Sequence, residues 1–241
     1  MAQLIGKMVT YPTGHGYYMI YKDNKSTFDL GSNKGKKEPV SDFDEVEEYR
    51  DYDNRQRSVR RAKSMVRDYI ACNNFSHFVT LTFSGEQSKD DDVRLKVLSN
   101  WLTYMKRKHG KFNYVVVPER HKDGSLHFHG VFDLKNFELK KGINPKNGKH
   151  VIRRGQQVYN ITSWELNNGW GHAEIIRDQM KVASYMTKYV VKDFETTVSK
   201  NKKKYWCSKG LELPVQSLLT RIPKLVGGPA YENDYIQIYH F

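Results

Sequence analysis

The chain has 241 residues and a formal charge of +13, with a pI near 9.5, a balance that favours a polyanionic partner such as nucleic acid or an anionic membrane surface. Its length allows one substantial domain with elaborations and is too short for a catalytic domain plus a full motor domain. No apolar run approaches the ~18 residues of a membrane span, and Met1-Ala-Gln lacks a signal pattern, while Cys72 and Cys207 show no Cys-x-x-Cys spacing; a cytoplasmic protein with two reduced thiols, no membrane attachment and no disulfide framework is expected.

In chain order, Tyr17–Tyr21 is a short β-like run and Gly31–Lys37 reads as loop. Residues 42–53 are acidic and pass into the basic stretch Arg55, Arg57, Arg60, Arg61 and Lys63, an order that suits a helix dipole. Val59, Ala62, Val66, Tyr69 and Ile70 form the helical stripe. Phe78-Val-Thr-Leu-Thr-Phe83 reads as a buried strand, and Val93 to Met105 as a second amphipathic helix ending near Gly110. Phe112–Pro118 is a strand, Asp123-Gly124 a hairpin turn, and Leu126–Phe132 the partner strand. Residues 135–157 read as an exposed polar loop, Trp170–Ile176 as a strand, and Asp178 to Phe194 as a helix. Lys200–Lys204 is a basic loop, and from Leu211 onward no period is evident. The expected division is an N-terminal extension over 1–60, a central domain over 61–210 and a C-terminal extension over 211–241.

Chemistry concentrates in two motifs. His127 and His129 alternate on a strand, so their imidazoles point the same way while Phe128 points to the other face. Glu119, eight residues before His127 on the neighbouring strand, is brought back by the hairpin and would complete a facial set of metal ligands. His121 is the alternative third ligand. Such a set suits Mn²⁺ or Mg²⁺ acting as a Lewis acid on a phosphoryl oxygen. The second motif is Tyr185-Met-Thr-Lys-Tyr189, with two phenols one helical turn apart and Lys188 and Lys192 each three residues after a tyrosine. A phenol is a weak nucleophile near neutrality, so a nearby cation and a polarised phosphate are what make attack feasible. The bland readings are packed or exposed histidines and a tyrosine core stripe with snorkelling lysines.

Charge supports phosphate binding in the same half: residues 135–210 hold 16 Lys/Arg against six Asp/Glu. The expected DNA contacts are Arg153, Arg154, Arg177, Lys181, Lys202, Lys203 and Lys204.

Taken in order, Phe78–Phe83, Glu119 with His127-Phe-His129, and Tyr185-Met-Thr-Lys-Tyr189 resemble the three motifs of the HUH endonuclease superfamily, specifically the rolling-circle replication initiators of single-stranded DNA phages and small plasmids. Trp170–Ile176 also resembles the strand that precedes the tyrosine helix there. The resemblance covers roughly residues 76 to 194. It implies an α+β fold with a central antiparallel sheet of about five strands flanked by helices. It further implies metal-dependent nicking and rejoining of single-stranded or hairpin origin DNA through a 5′-phosphotyrosine link, with Lys188 or Lys192 assisting, in a bacterial host cytoplasm. No Gly-x-x-x-x-Gly-Lys-Ser/Thr is present, so unwinding would fall to a host helicase and synthesis to a host polymerase.

Three rivals have stated discriminators. A transposase or relaxase of the same superfamily would use the same chemistry, but paired tyrosines favour replication initiation. A histidine-triad hydrolase would need a third alternating histidine, and position 131 is Val. A non-catalytic single-strand binding protein would bind without regard to divalent metal and form no covalent adduct.

Overall fold

A computed structural model describes residues 4–22, 43–85, 89–121, 123–144, 146–192 and 203–241, with only the backbone described at 43–53, 55, 191 and 192. The Gly31–Lys37 loop, Lys202 and the side chains of the acidic run through Asp53 lie outside the described residues. Contacts divide the chain into a central unit, Arg55–Glu212, and a terminal unit assembled from both ends, Met1–Asn54 with Leu213–Phe241.

The elements in chain order are β1 (Gly6–Thr10), β2 (Gly16–Tyr21), α1 (Phe43–Cys72), β3 (His77–Phe83), α2 (Asp91–His109), β4 (Tyr114–Arg120) and β5 (Leu126–Phe132). Four two-residue strands follow, β6 (Lys140–Lys141), β7 (Ile152–Arg153), β8 (Gln156–Gln157) and β9 (Tyr159–Asn160). Then come α3 (Thr162–Glu165), β10 (Gly169–Ile175), α4 (Gln179–Lys192), β11 (Trp206–Cys207), β12 (Val215–Leu219), β13 (Tyr231–Glu232) and β14 (Ile236–His240).

The central unit is an α+β fold built on a seven-stranded sheet in the order β11-β4-β5-β3-β10-β9-β6. Its long strands pair antiparallel throughout. Four long strands form its middle, and short edge strands extend it beyond the five or so expected. The 135–157 stretch, expected as a loop, contributes β6 to one edge, and its β7 and β8 pair as a separate hairpin.

Strand alternation sorts the side chains into two layers. Val79, Leu81 and Phe83 of β3 and Phe128 and Phe132 of β5 are buried with Leu98, Trp101, Leu102 and Met105 of α2. On the opposite face Val115, Val117 and Val131 are buried with Val59, Ala62, Val66 and Ile70 of α1 and with Ala183, Met186 and Val190 of α4. The helix stripe read from α1 is therefore the stripe that packs, with Tyr69 half-buried at its margin.

Local signals explain where the helices begin and end. Asp90 caps α2, its side chain accepting a hydrogen bond from Val93 N at 2.9 Å, and Gly110 closes it with φ 78°. Arg94 of α2 is buried, yet its guanidinium donates to Leu126 O at 3.1 Å and lies 4.6 Å from the Phe83 ring centroid. The β4–β5 hairpin is further tied to α2 by an Arg120–Asp91 ion pair at 2.5 Å. Gly130 follows His129 because a Cβ there would come within 3.0 Å of the Val115 carbonyl oxygen.

The terminal unit is a five-stranded sheet in the order β12-β1-β2-β14-β13. The β-like run at Tyr17–Tyr21 lies in β2, and the segment without a readable period supplies β12, β13 and β14. No helix among the described residues is long and apolar enough to cross a membrane.

Candidate active site

The register of the central sheet carries a row of polar side chains across one face. Glu119 of β4 pairs with His127 of β5, and Val117 pairs with His129. On the other side of β5, Thr80 pairs with His129, and β3 continues to Thr82. Thr80 Oγ1 lies 3.2 Å from His129 Nδ1, and Thr82 Oγ1 lies 3.1 Å from His127 Nδ1. Two threonines with the same two-residue period as the histidines thus hold the two rings by the same nitrogen. Such a bond fixes ring orientation and directs Nε2 away from the supporting strand.

His129 Nε2 meets Glu119 Oε2 at 2.6 Å, and both groups are largely buried. The hairpin therefore does bring Glu119 back to the histidine pair. His121, the alternative ligand, stacks on the His127 ring at 4.7 Å between centroids and lies 3.6 Å from the Asp123 carboxylate. Burial, reinforced by the positive potential of His121 and His129, lowers the His127 pKa from its usual value. Its neutral form, the form that ligates metals, is thereby favoured near neutrality. The donor set of two imidazoles and one carboxylate suits a divalent cation in kind. Among the described residues, however, no three His, Cys, Asp or Glu side chains are grouped closely enough to hold a metal ion.

Helix α4 brings the tyrosines over this row. Asp178 starts the helix by accepting from Lys181 N at 3.0 Å, and Gln179 Nε2 donates to the Ile70 and Asn73 carbonyls at 3.1 and 2.8 Å. These bonds pin the start of α4 to the end of α1. Ala183, Met186 and Val190 then face the sheet, so Tyr185 and Tyr189 fall along one flank of that stripe. Tyr189 lies flat on His129, with ring centroids 4.1 Å apart and planes 18° from parallel. Phe78 stacks with the same imidazole at 5.8 Å and meets Tyr185 edge-on at 5.6 Å.

The Tyr189 hydroxyl donates a hydrogen bond to the Tyr185 hydroxyl. Burial raises the Tyr189 phenol far above its ordinary pKa, the bond to Tyr185 and the charge of Glu119 push the same way, and Arg154 opposes them. Tyr185 is more open, at 38% exposure. The two phenols thus differ in setting although their spacing is symmetric.

The cations divide by location. Arg154 is near enough to act on Tyr189, whereas Lys188 is exposed on α4 and the Lys192 side chain lies outside the described residues. Arg153 reaches Glu174 at 3.6 Å, Arg177 donates to Gly155 O at 3.5 Å, and Lys181 pairs with Asp178 at 3.3 Å. Lys203 instead lines a groove with Lys106, Lys111 and Trp206 beside α2, and burial lowers the pKa of Lys204. The basic residues on and around β10 therefore share the histidine face, and Lys203 does not join them. Reading by motif alone missed Thr80, Thr82 and Phe78 as partners of the histidines; their alternation along β3 was the available signal.

Neither curated proteins nor solved structures give a match to the chain. Residues 76–194, which carry both histidines, Glu119 and both tyrosines, match the family model for the replication-associated protein ORF2 and so resemble replication initiators of the Rep type.

Proposed function

We propose that this protein initiates rolling-circle replication by nicking and rejoining single-stranded or hairpin origin DNA through a tyrosine. The observation that carries this reading is Tyr189 stacked on His129 while hydrogen-bonded to Tyr185. It sets two nucleophile candidates against the residues suited to bind a phosphate-polarising cation.

In the proposed step the phenolic oxygen of Tyr185 or Tyr189 loses its proton to solvent and attacks the scissile phosphorus. The bond from phosphorus to the 3′-oxygen breaks, and that oxygen takes up a proton. The products are a 5′-phosphotyrosine link and a free 3′-hydroxyl able to prime a host polymerase, with strand separation supplied by a host helicase. Because the tyrosyl ester conserves the phosphodiester energy, a 3′-hydroxyl can reverse the step without ATP. Mn²⁺ or Mg²⁺ bound by Glu119, His127 and His129 would supply Lewis-acid polarisation of the phosphate. Arg154, together with Lys188 and Lys192, would supply positive charge near the phenols.

The test is incubation of the full chain with labelled stem-loop oligonucleotides from its replicon and Mn²⁺. A protein–DNA adduct that survives denaturant and disappears with a chelator is expected. Salt-sensitive binding that ignores the chelator and yields no adduct would reject nicking in favour of simple single-strand binding.

The threonine contacts give a second prediction. Thr82→Val removes the partner of His127 Nδ1 and is expected to weaken Mn²⁺ binding by about 10- to 100-fold, whereas Thr82→Ser restores it. Isothermal titration with Mn²⁺ measures this directly. Equal affinity in the Val and Ser variants would remove the orienting role from Thr82.

A further inference from the structure

Two strands away from His127, the same sheet face opens into a cavity of about 660 Å³ lined by residues that include Arg153, Asn160, Glu165, Trp170 and His172. Trp170 pairs with Thr82 and His172 with Thr80, so both continue the rows that start at the two histidines. Adjacent strands lie about 4.8 Å apart, which puts Trp170 about 10 Å across the sheet from His127. Asn160 pairs with His172 and extends the second row by one more strand.

The chemistry of this cavity differs from that of the histidine row. Trp170 is 55% exposed, whereas Trp101 and Trp164 are buried in the opposite layer. An exposed tryptophan on a sheet face is a platform for a flat ring. Around it stand an amide, an imidazole and a carboxyl, the groups that read base edges by hydrogen bonding. Burial lowers the His172 pKa, with Arg153 adding to the effect, and so favours a neutral imidazole able to donate and accept. Burial likewise raises the Glu165 carboxyl, against hydrogen bonds with Gly171 and Asn160 that lower it. The surrounding segment, residues 135–157, holds seven Lys/Arg against one Glu. A charged phosphate chain is drawn to such a rim, and the ring-sized apolar patch inside it suits what that chain carries.

We infer that this cavity is a nucleotide subsite, in which an unpaired DNA base stacks on Trp170 while Arg153 engages the adjoining phosphate. The subsite rests on the reading that this sheet face binds single-stranded DNA. It anchors the strand beside the site of attack and fixes which phosphate faces the tyrosines. Stacking supplies affinity for any base, and Asn160, Glu165 and His172 supply preference among bases.

The test uses the full chain and a fluorescein-labelled 20-nucleotide oligo-dT, read by anisotropy. Trp170→Ala is expected to raise Kd by about 10-fold with an unchanged salt slope, and Trp170→Phe to stay within about 2-fold of the parent. Arg153→Gln is expected to lower the salt slope by about one. In parallel, oligo-dT with an internal 5-iododeoxyuridine is expected to photocrosslink to Trp170. Parent-like affinity in Trp170→Ala, or crosslinks confined to other residues, overturns the subsite. Neither readout requires a nick, so absence of a covalent adduct in the stem-loop assay would reject nicking while leaving the subsite to stand or fall on these measurements.

Discussion

Replacing Tyr185 and Tyr189 together with phenylalanine is expected to abolish the covalent protein–DNA adduct, a loss on the order of 10³-fold or more in its rate of formation. Both rings would keep their packing, because only the hydroxyls are removed. Tyr189 would still lie on His129 and Tyr185 would still meet Phe78 edge-on. DNA affinity is therefore expected to change little, and the variant separates binding from chemistry. Single variants are expected to differ from each other. Tyr185→Phe leaves only Tyr189, whose phenol is held high by burial and by the charge of Glu119. A raised phenol pKa means the reactive phenolate gains population only as pH rises. Adduct formation by Tyr185→Phe is thus expected to climb by up to about tenfold per pH unit above neutrality, until another step limits it. Tyr189→Phe removes the donor to Tyr185 and is expected to keep the larger activity at pH 7. A denaturing gel of labelled DNA against pH reads all three variants. Persistence of the adduct in the double variant would eliminate both tyrosines as the nucleophile.

Phe128→Ala is expected to destabilise the protein by about 4 kcal/mol, the usual cost of emptying a fully buried phenylalanine site. Phe128 is completely buried between the two histidine positions, and its ring meets Phe83 at 5.9 Å and Trp206 at 6.4 Å. For a chain of this size that loss lowers Tm by about 10 °C, measurable by calorimetry. Phe128→Leu refills most of the volume and is expected to cost much less. The residue links two properties of β5: one side of the strand carries the imidazoles, and the other is clamped in the aromatic core. Metal binding by Phe128→Ala at low temperature would report how far the clamp disciplines the ligands. A melting temperature within about 2 °C of the parent would contradict this account.

What could be read from sequence depended on the range of the interaction. The two-residue period of His127 and His129, the Asp123-Gly124 turn and the stripe in α1 are local, and each survives in the fold. Glu119 was reachable because one hairpin relates it to His127. Thr80 and Thr82 escaped attention because their role depends on which strand lies beside β5, a choice made between residues 45 to 49 positions apart. The influence of Arg154 on Tyr189 likewise depends on the β7–β8 hairpin and α4 meeting in space. The terminal sheet was least legible. Its edge joins Lys7 to Gln216, 209 residues away, and short strands of mixed polarity announce no partner.

That sheet also imposes an order on synthesis. While β1 and β2 are the only strands made, they form a two-stranded hairpin, which has little stability alone in water. Their neighbours β12 and β14 are translated after the entire central unit, and Gly16 and Phe241 exchange backbone hydrogen bonds at 3.0 and 3.1 Å. The central unit can therefore fold on the ribosome while the N-terminal strands still wait for partners. A nascent chain released before Val215 would carry both histidines and both tyrosines but not the strands that complete the terminal sheet. Sheet closure makes the terminal unit a record that translation has run past β14.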